Sequence, residues 1–134
     1  MLYYCIKLLF TSSFIKILNL IKLRLSYRLS VIIKSPILWG YPFRISIEPT
    51  TFCNLSCPEC PSGQRTLTRP SGNMQYDLYR KIIHESSSFL LFLNLYFQGE
   101  PFLHPEILKM ITLAKQKRIY TAVSTNGHFL DTQN

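Results

Sequence analysis

Hydrophobic residues near the start of the chain recur with the spacing of a helix. Within residues 8–25, steps of three and four residues place four apolar side chains on one helical face: Phe14, Leu18, Ile21 and Leu25. Lys16, Lys22 and Arg24 interrupt this segment too often for a transmembrane span, which needs about 20 mainly apolar residues. We therefore expect a helix in a basic N-terminal arm, residues 1–40, that packs against a neighbouring domain. The alternative is a helix that lies on anionic lipid.

The rest of the chain, residues 41–134, alternates strand and helix patterns. Residues 43–48 alternate apolar and polar side chains, 89–97 form a nearly continuous apolar run typical of a strand covered on both faces, and 119–124 predict a third strand. Helical spacing predicts helices over 76–87 and 105–117. This order predicts an α/β fold with right-handed crossovers and a parallel sheet.

Three loops carry the candidate chemistry, and each follows a predicted strand. They are the long loop 50–73, the segment Gln98-Gly99-Glu100-Pro101, and the segment Ser124-Thr125-Asn126-Gly127. Because the carboxyl ends of parallel strands meet at one edge of the sheet, we expect these loops to lie together and to form the functional site.

Charge separates the arm from this core. The 134 residues carry a formal net charge of +8, but the first acidic residue is Glu48, so that residues 1–47 have a charge of +7 and the remainder +1. A nucleic-acid groove would place its cations among the residues that do the chemistry. The charge pattern therefore argues against nucleic acid as a partner.

Three of the four cysteines lie within eight residues of one another, at Cys53, Cys57 and Cys60, while Cys5 is isolated. The chain has no pattern of spaced cysteines and no signal-peptide pattern, so we expect a reducing, cytoplasmic setting in which clustered thiols bind metal or react. A closed zinc site needs four ligands, commonly in two pairs, and a second pair is missing. Three thiolates suit an iron–sulfur cluster that keeps one iron open.

The segment Glu48-Pro49-Thr50-Thr51-Phe52-Cys53-Asn54-Leu55-Ser56-Cys57-Pro58-Glu59-Cys60-Pro61-Ser62-Gly63 resembles the cluster loop of the radical SAM superfamily, in the branch that often carries a C-terminal SPASM extension. Glu59 departs from the aromatic residue that many members have before the third cysteine. The resemblance extends from about residue 41 to the end of the chain. It implies the N-terminal half of a partial, TIM-like barrel of six strand–helix units.

The resemblance also implies a cofactor set. Cys53, Cys57 and Cys60 would hold a [4Fe-4S] cluster whose open iron binds S-adenosylmethionine (SAM). Reduction of SAM by one electron then yields a 5′-deoxyadenosyl radical, and the protein supplies geometry and excludes water and oxygen. In this branch the substrate is expected to be a peptide or a protein, and an electron donor is required.

Further SAM contacts follow from the other two loops. Gly99, Glu100 and Pro101 resemble the family's Gly-Gly-Glu-Pro segment, with Gln98 in place of the first glycine, and we assign Glu100 to the SAM ammonium. Ser124 and Asn126 resemble residues that line the SAM cavity at the end of the third strand.

A length of 134 residues supplies only about three of the six strand–helix units. We therefore expect a truncated core that is inactive alone, or one that a second chain completes, because its third strand keeps an unpaired edge. Two alternatives stay open: a zinc-binding interaction module that uses the three cysteines and one histidine, and a membrane-surface protein led by the arm.

Overall fold

The computed structural model describes residues 13–130, and they form a small α/β domain with one long helix beside it. In chain order the helices and strands are α1 (Phe14–Ile33), β1 (Arg44–Ser46), α2 (Tyr76–Ser86), β2 (Phe92–Asn94), a 3₁₀ turn (Pro101–Leu103), α3 (Ile107–Gln116) and β3 (Tyr120–Ala122). The five elements predicted for the core are thus present, and the strands are shorter than their hydrophobic patterns.

The three strands form one parallel sheet in the order β1-β2-β3. Ile45 pairs with Leu93, and Leu93 pairs with Thr121. Since each connection runs through a helix, all three strands end at the same edge of the sheet. The predicted parallel order is therefore confirmed, and the three candidate loops begin at this shared edge.

The core lies between the sheet and the helices α2 and α3. Fully buried side chains include Ile83 of α2, Leu93 of β2 and Met110 of α3. Tyr79, also fully buried, donates a hydrogen bond from its hydroxyl to the Met110 carbonyl at 2.8 Å. Burial raises the pKa of Tyr79, and its neighbour Tyr76 adds to the shift. This phenol is accordingly a neutral part of the core.

The second strand differs from its prediction in one respect. Leu91, Leu93 and Leu95 are buried, whereas Phe92 and Asn94 between them are half-exposed. Among the described residues, helices therefore cover only one face of β2. The continuous apolar run predicted two covered faces because an apolar side chain such as Phe92 was expected to be buried. In the structure Phe92 lies on the face that these helices do not cover, where its ring packs edge-on against Tyr120.

The helix α1 begins within the predicted segment and continues past Leu25 to Ile33; the predicted residues 8–12, like Cys5, lie outside the described residues. Ser30 lies beyond the predicted end of the helix. Its hydroxyl donates a hydrogen bond to the Ser26 carbonyl, one helical turn earlier, at 2.8 Å. This serine therefore does not end the helix. No helix among residues 13–130 has the length and apolar character to cross a membrane.

The arm packs on the core through polar side chains. Lys16 is almost fully buried, and its ammonium donates to the carbonyls of Lys117 and Arg118, at 3.0 Å each, beyond the C-terminal end of α3. Asn19 accepts from the amide of Tyr41 at 2.8 Å and donates to its carbonyl at 2.9 Å. The predicted packing of the helix is thus present, but through a different face, because carbonyls at a helix end and loop backbone require hydrogen-bonding partners.

The Lys16 contact predicts a pH dependence. Burial, together with the nearby charge of Arg118, lowers the pKa of Lys16 from 10.5 to about 8. Between these two values the folded chain holds fewer protons than the unfolded chain, so the free energy of unfolding should rise as pH increases from 8 to about 10.5. Urea titrations at several pH values measure this free energy of unfolding. In Lys16→Met the rise between pH 8 and about 10.5 should be missing, and an identical rise in both proteins would contradict the assignment.

Candidate cofactor-binding site

The first loop leaves β1 and is fixed at its base by Glu48. Its carboxylate forms an ion pair with Arg69, with Arg69 Nη2 at 2.8 Å from Oε1, and accepts the amide of Gln98 at 3.1 Å. Hydrogen bonding to Glu48 raises the pKa of Arg69. A single carboxylate therefore ties the cysteine loop to the loop that follows β2.

The cysteine loop holds three free thiols. Cys53 and Cys60 are half-buried, and Cys57 is exposed. The amide of Leu55 donates to the Cys53 sulfur at 3.4 Å, a contact of the kind that tunes metal-bound thiolates. A cavity of about 340 Å³, lined in part by Phe52, lies beside Cys53.

Donor chemistry in this loop suits a cluster, since thiolate sulfur matches iron. Among residues 13–130, however, no three Cys, His, Asp or Glu side chains are arranged closely enough to hold a metal ion. The structure thus places the three predicted cysteines on one loop at the carboxyl edge of the sheet. Their role as cluster ligands stays a prediction.

Gly63 is packed against the backbone of this loop. A Cβ atom at Gly63 would lie 2.7 Å from the amide nitrogen of Cys57 and 3.0 Å from its carbonyl oxygen. The loop also turns back on itself, with the amide of Cys60 donating to the Cys57 carbonyl at 3.2 Å. The placement of the Cys57 backbone within the loop therefore depends on Gly63, the glycine that ends the motif.

The second loop touches the first through its backbone. Gly99 has a φ of +77°, and a Cβ atom there would lie 2.4 Å from the carbonyl oxygen of Thr50. The next amide, that of Glu100, donates to the Phe52 carbonyl at 2.7 Å. Glycine is thus required at position 99 both by the positive φ and by the close approach of the two loops.

The carboxylate of Glu100 is 2% exposed and joins the second loop to the third. Oε1 accepts from the amide of Phe102 at 3.0 Å and from the hydroxyl of Thr125 at 2.7 Å, while Oε2 accepts from the amide of Asn126 at 2.7 Å. Pro101, also buried, follows it at the start of the 3₁₀ turn. In this arrangement Glu100 positions the loop after β3, and its predicted contact with the SAM ammonium stays a prediction.

The third loop reaches the cysteine loop through side chains. Asn126 donates from its amide to Oδ1 of Asn54 at 2.8 Å, and its own Oδ1 accepts the amide of His128 at 3.0 Å. Nδ1 of His128 lies 3.4 Å from Nδ2 of Asn54. Ser124, the other residue predicted in this loop, is exposed. All three loops are therefore in direct contact, as their common edge predicted.

Sequence reasoning missed Asn54, Thr125 and Arg69 as parts of this network. Asn54 follows the first cysteine directly, and Thr125 precedes Asn126, so that proximity to predicted site residues was a signal for both. Arg69 had no comparable signal, because its partner Glu48 lies 21 residues away.

A Glu100→Gln substitution should test the buried carboxylate. Glutamine offers one acceptor oxygen in place of two, so at least one of the three donors would lose its partner inside the protein. We expect the free energy of unfolding to fall by roughly 1–3 kcal/mol. Chemical denaturation measures the change. The exposed Glu59, changed to Gln in the same region, is the matched control and should have little effect; equal losses in both variants would contradict this role of Glu100.

Two curated proteins are similar to this chain. A tungsten-containing aldehyde ferredoxin oxidoreductase cofactor-modifying protein of Pyrococcus furiosus is 34% identical over 86 residues, which cover 63% of this chain and 24% of that protein. The PqqA peptide cyclase of Gluconobacter oxydans is 28% identical over 91 residues, which cover 67% of this chain and 25% of the cyclase. The chain thus spans about a quarter of the length of these relatives. No family model matches it.

Solved structures are also similar to this chain. BtrN in complex with AdoMet and 2-DOIA has a TM-score of 0.63 and 26% identity, over 70% of this chain and 39% of BtrN. The chain is related to the radical SAM superfamily. Streptococcus suis SuiB bound to S-adenosylmethionine, with a TM-score of 0.59 and 20% identity, shares the fold over 79% of this chain and 24% of SuiB.

The radical SAM relationship confirms the family predicted from the cysteine loop, and it confirms the α/β fold. Relatives in this superfamily are named for peptide cyclisation and for cofactor modification, and two solved structures contain SAM.

Proposed function

We propose that Cys53, Cys57 and Cys60 hold a [4Fe-4S] cluster and that the loops around them bind SAM. When bound, the cluster supplies the electron that cleaves SAM reductively to methionine and a 5′-deoxyadenosyl radical. Residues 41–134 would form this core, behind the arm of residues 1–40. The proposal rests above all on one observation: the cysteine loop directly contacts both of the other predicted SAM-binding loops.

The chain's own residues prepare this site in three ways. The Leu55 amide donates to the Cys53 sulfur, a contact of the kind that orients and tunes a metal ligand. Gly99 lets the second loop lie directly against the backbone of the first. Glu100 fixes the backbone amide of Asn126, so the third loop is held beside Asn54.

A peptide or protein substrate is the class we infer for the modification. Support comes from the PqqA peptide cyclase and from the structure of SuiB bound to precursor peptide SuiA, which has a TM-score of 0.56 with this chain. The runner-up is a small cofactor-like molecule, which the Pyrococcus furiosus relative favours.

Anaerobic reconstitution tests the proposed function. The full chain is incubated with iron and sulfide, desalted, and assayed for iron, zinc and SAM binding; dithionite then serves as the electron donor in an assay for 5′-deoxyadenosine. We expect about four irons per chain and SAM-dependent perturbation of the cluster's electron paramagnetic resonance signal. Failure to retain iron would contradict the proposal, and one bound zinc without iron would favour the zinc-binding module instead.

A further inference from the structure

An apolar ridge runs along the outward face of α1. It consists of five exposed side chains: Phe14, Leu18, Ile21, Leu25 and Ile32. Their spacing places them on one face of the helix, while Lys16, Asn19 and Ser26 are the buried residues on the side toward the domain. A surface helix normally buries its apolar face and exposes its polar one. The apolar ridge of α1 instead faces away from the domain, and such an exposed patch marks an interaction surface.

Positive charge borders the ridge. Lys22, Arg24 and Arg28 are exposed residues of α1, and Lys34 follows its last turn. The sequence has no acidic residue before Glu48, which pairs with Arg69. None of the ion pairs found among residues 13–130 involves a cation of α1. The surroundings of the ridge are thus positive without local compensation.

A groove beside the ridge adds to this pattern. It has a volume of about 700 Å³ and lies between α1 and the segment that leads into β1, with Leu23 and Phe43 among its apolar lining residues. Arg24, Arg28 and Arg44 line it as well. Guanidinium groups next to apolar surface suit a phosphate group attached to an acyl chain.

We propose that α1 lies on an anionic bilayer surface, with the apolar ridge among the acyl chains and Lys22, Arg24 and Arg28 facing the lipid phosphates. A helix with this distribution of apolar and basic residues binds in the plane of the interface. Nucleic acid would neutralise the cations but leave the ridge in water. A second copy would bring two uncompensated positive surfaces together. Charge complementarity therefore favours anionic lipid.

The proposed contact leaves the radical SAM site free. The groove includes Phe43 and Arg44 at the start of β1, whereas the cysteine loop leaves the carboxyl end of the same strand. Membrane binding and cofactor binding would therefore occur at opposite ends of the sheet, and each can be tested without the other.

Vesicle flotation of the full chain tests the proposal. The chain is mixed with vesicles of phosphatidylcholine, or of phosphatidylcholine and phosphatidylglycerol, at low and high salt. We expect at least about tenfold stronger partitioning to the anionic vesicles, weakened by salt. The ridge variant Leu18→Gln with Leu25→Gln should lose about tenfold or more of this binding, because it removes apolar surface from the interface. Glutamine is a good helix former and should keep α1 intact.

The matched control changes two exposed leucines elsewhere, Leu78→Gln in α2 with Leu108→Gln in α3, and should bind vesicles as the unmodified chain does. Circular dichroism checks that both variants are folded. Cys57→Ser should also keep vesicle binding, which separates this proposal from the radical SAM proposal. Unchanged binding by the ridge variant, or equal binding to neutral vesicles, would overturn it. The membrane proposal would also be overturned if the chain formed a dimer or an RNA complex that the ridge variant loses, while the unmodified chain does not bind vesicles.

Discussion

A Cys57→Ser substitution is expected to abolish cluster binding. Serine removes a thiolate and leaves a hydroxyl that stays protonated and matches iron poorly, and a cluster held by three ligands has no spare protein donor. Retained iron after anaerobic reconstitution should fall to roughly a tenth of the unmodified level or less. Iron analysis and visible absorption after desalting measure the effect. Cys53→Ser and Cys60→Ser should behave in the same way.

Cys5→Ser is the matched control, since it removes a cysteine that lies far from the motif in sequence. This variant should retain iron at the unmodified level. Because Cys57 is exposed, its substitution should also leave the free energy of unfolding of the apo chain nearly unchanged. Full iron binding by Cys57→Ser, or an equal loss in Cys5→Ser, would contradict the assignment of the three ligands.

Much of the core was predictable because its patterns are local. Alternation in 43–48 and helical spacing in 76–87 reflect which side chains face the core, so both elements appear where the patterns lie. The place of the cysteine loop followed from topology, since parallel strands connected by helices bring their carboxyl ends to one edge. Neither inference needed knowledge of contacts between distant residues.

The contacts inside the site were not predictable in this way. Glu100 was assigned to a ligand from its motif, but its three donors belong to backbone and side chains that only the folded chain brings together. The orientation of α1 was missed for a related reason. Hydrophobic periodicity indicates which face is apolar, whereas Lys16 is buried because carbonyls about 100 residues later need a donor. Hydrogen bonds between residues that lie far apart in the chain leave no periodic signal in a sequence.

Gly99→Ala should be the most damaging single substitution in the loops that surround the cysteines. Alanine at a φ of +77° is strained, and its Cβ would lie 2.4 Å from the Thr50 carbonyl and 2.9 Å from that of Phe52. Both obstacles are backbone atoms, so relief requires the two loops to separate. We expect the free energy of unfolding to fall by roughly 2–4 kcal/mol, the sum of backbone strain and overpacking. Chemical denaturation of the apo protein measures it.

Gly127→Ala separates the two causes. Gly127 has a similar φ of +81°, but no atom lies within 4 Å of an added Cβ, so this variant should lose only the strain of about 1 kcal/mol. Separation of the loops in Gly99→Ala should also break the bond from the Glu100 amide to the Phe52 carbonyl and weaken SAM binding to reconstituted protein, while Gly127→Ala retains that bond. Equal losses of stability in the two variants would mean that conformation alone, and not the contact between the loops, requires glycine at position 99.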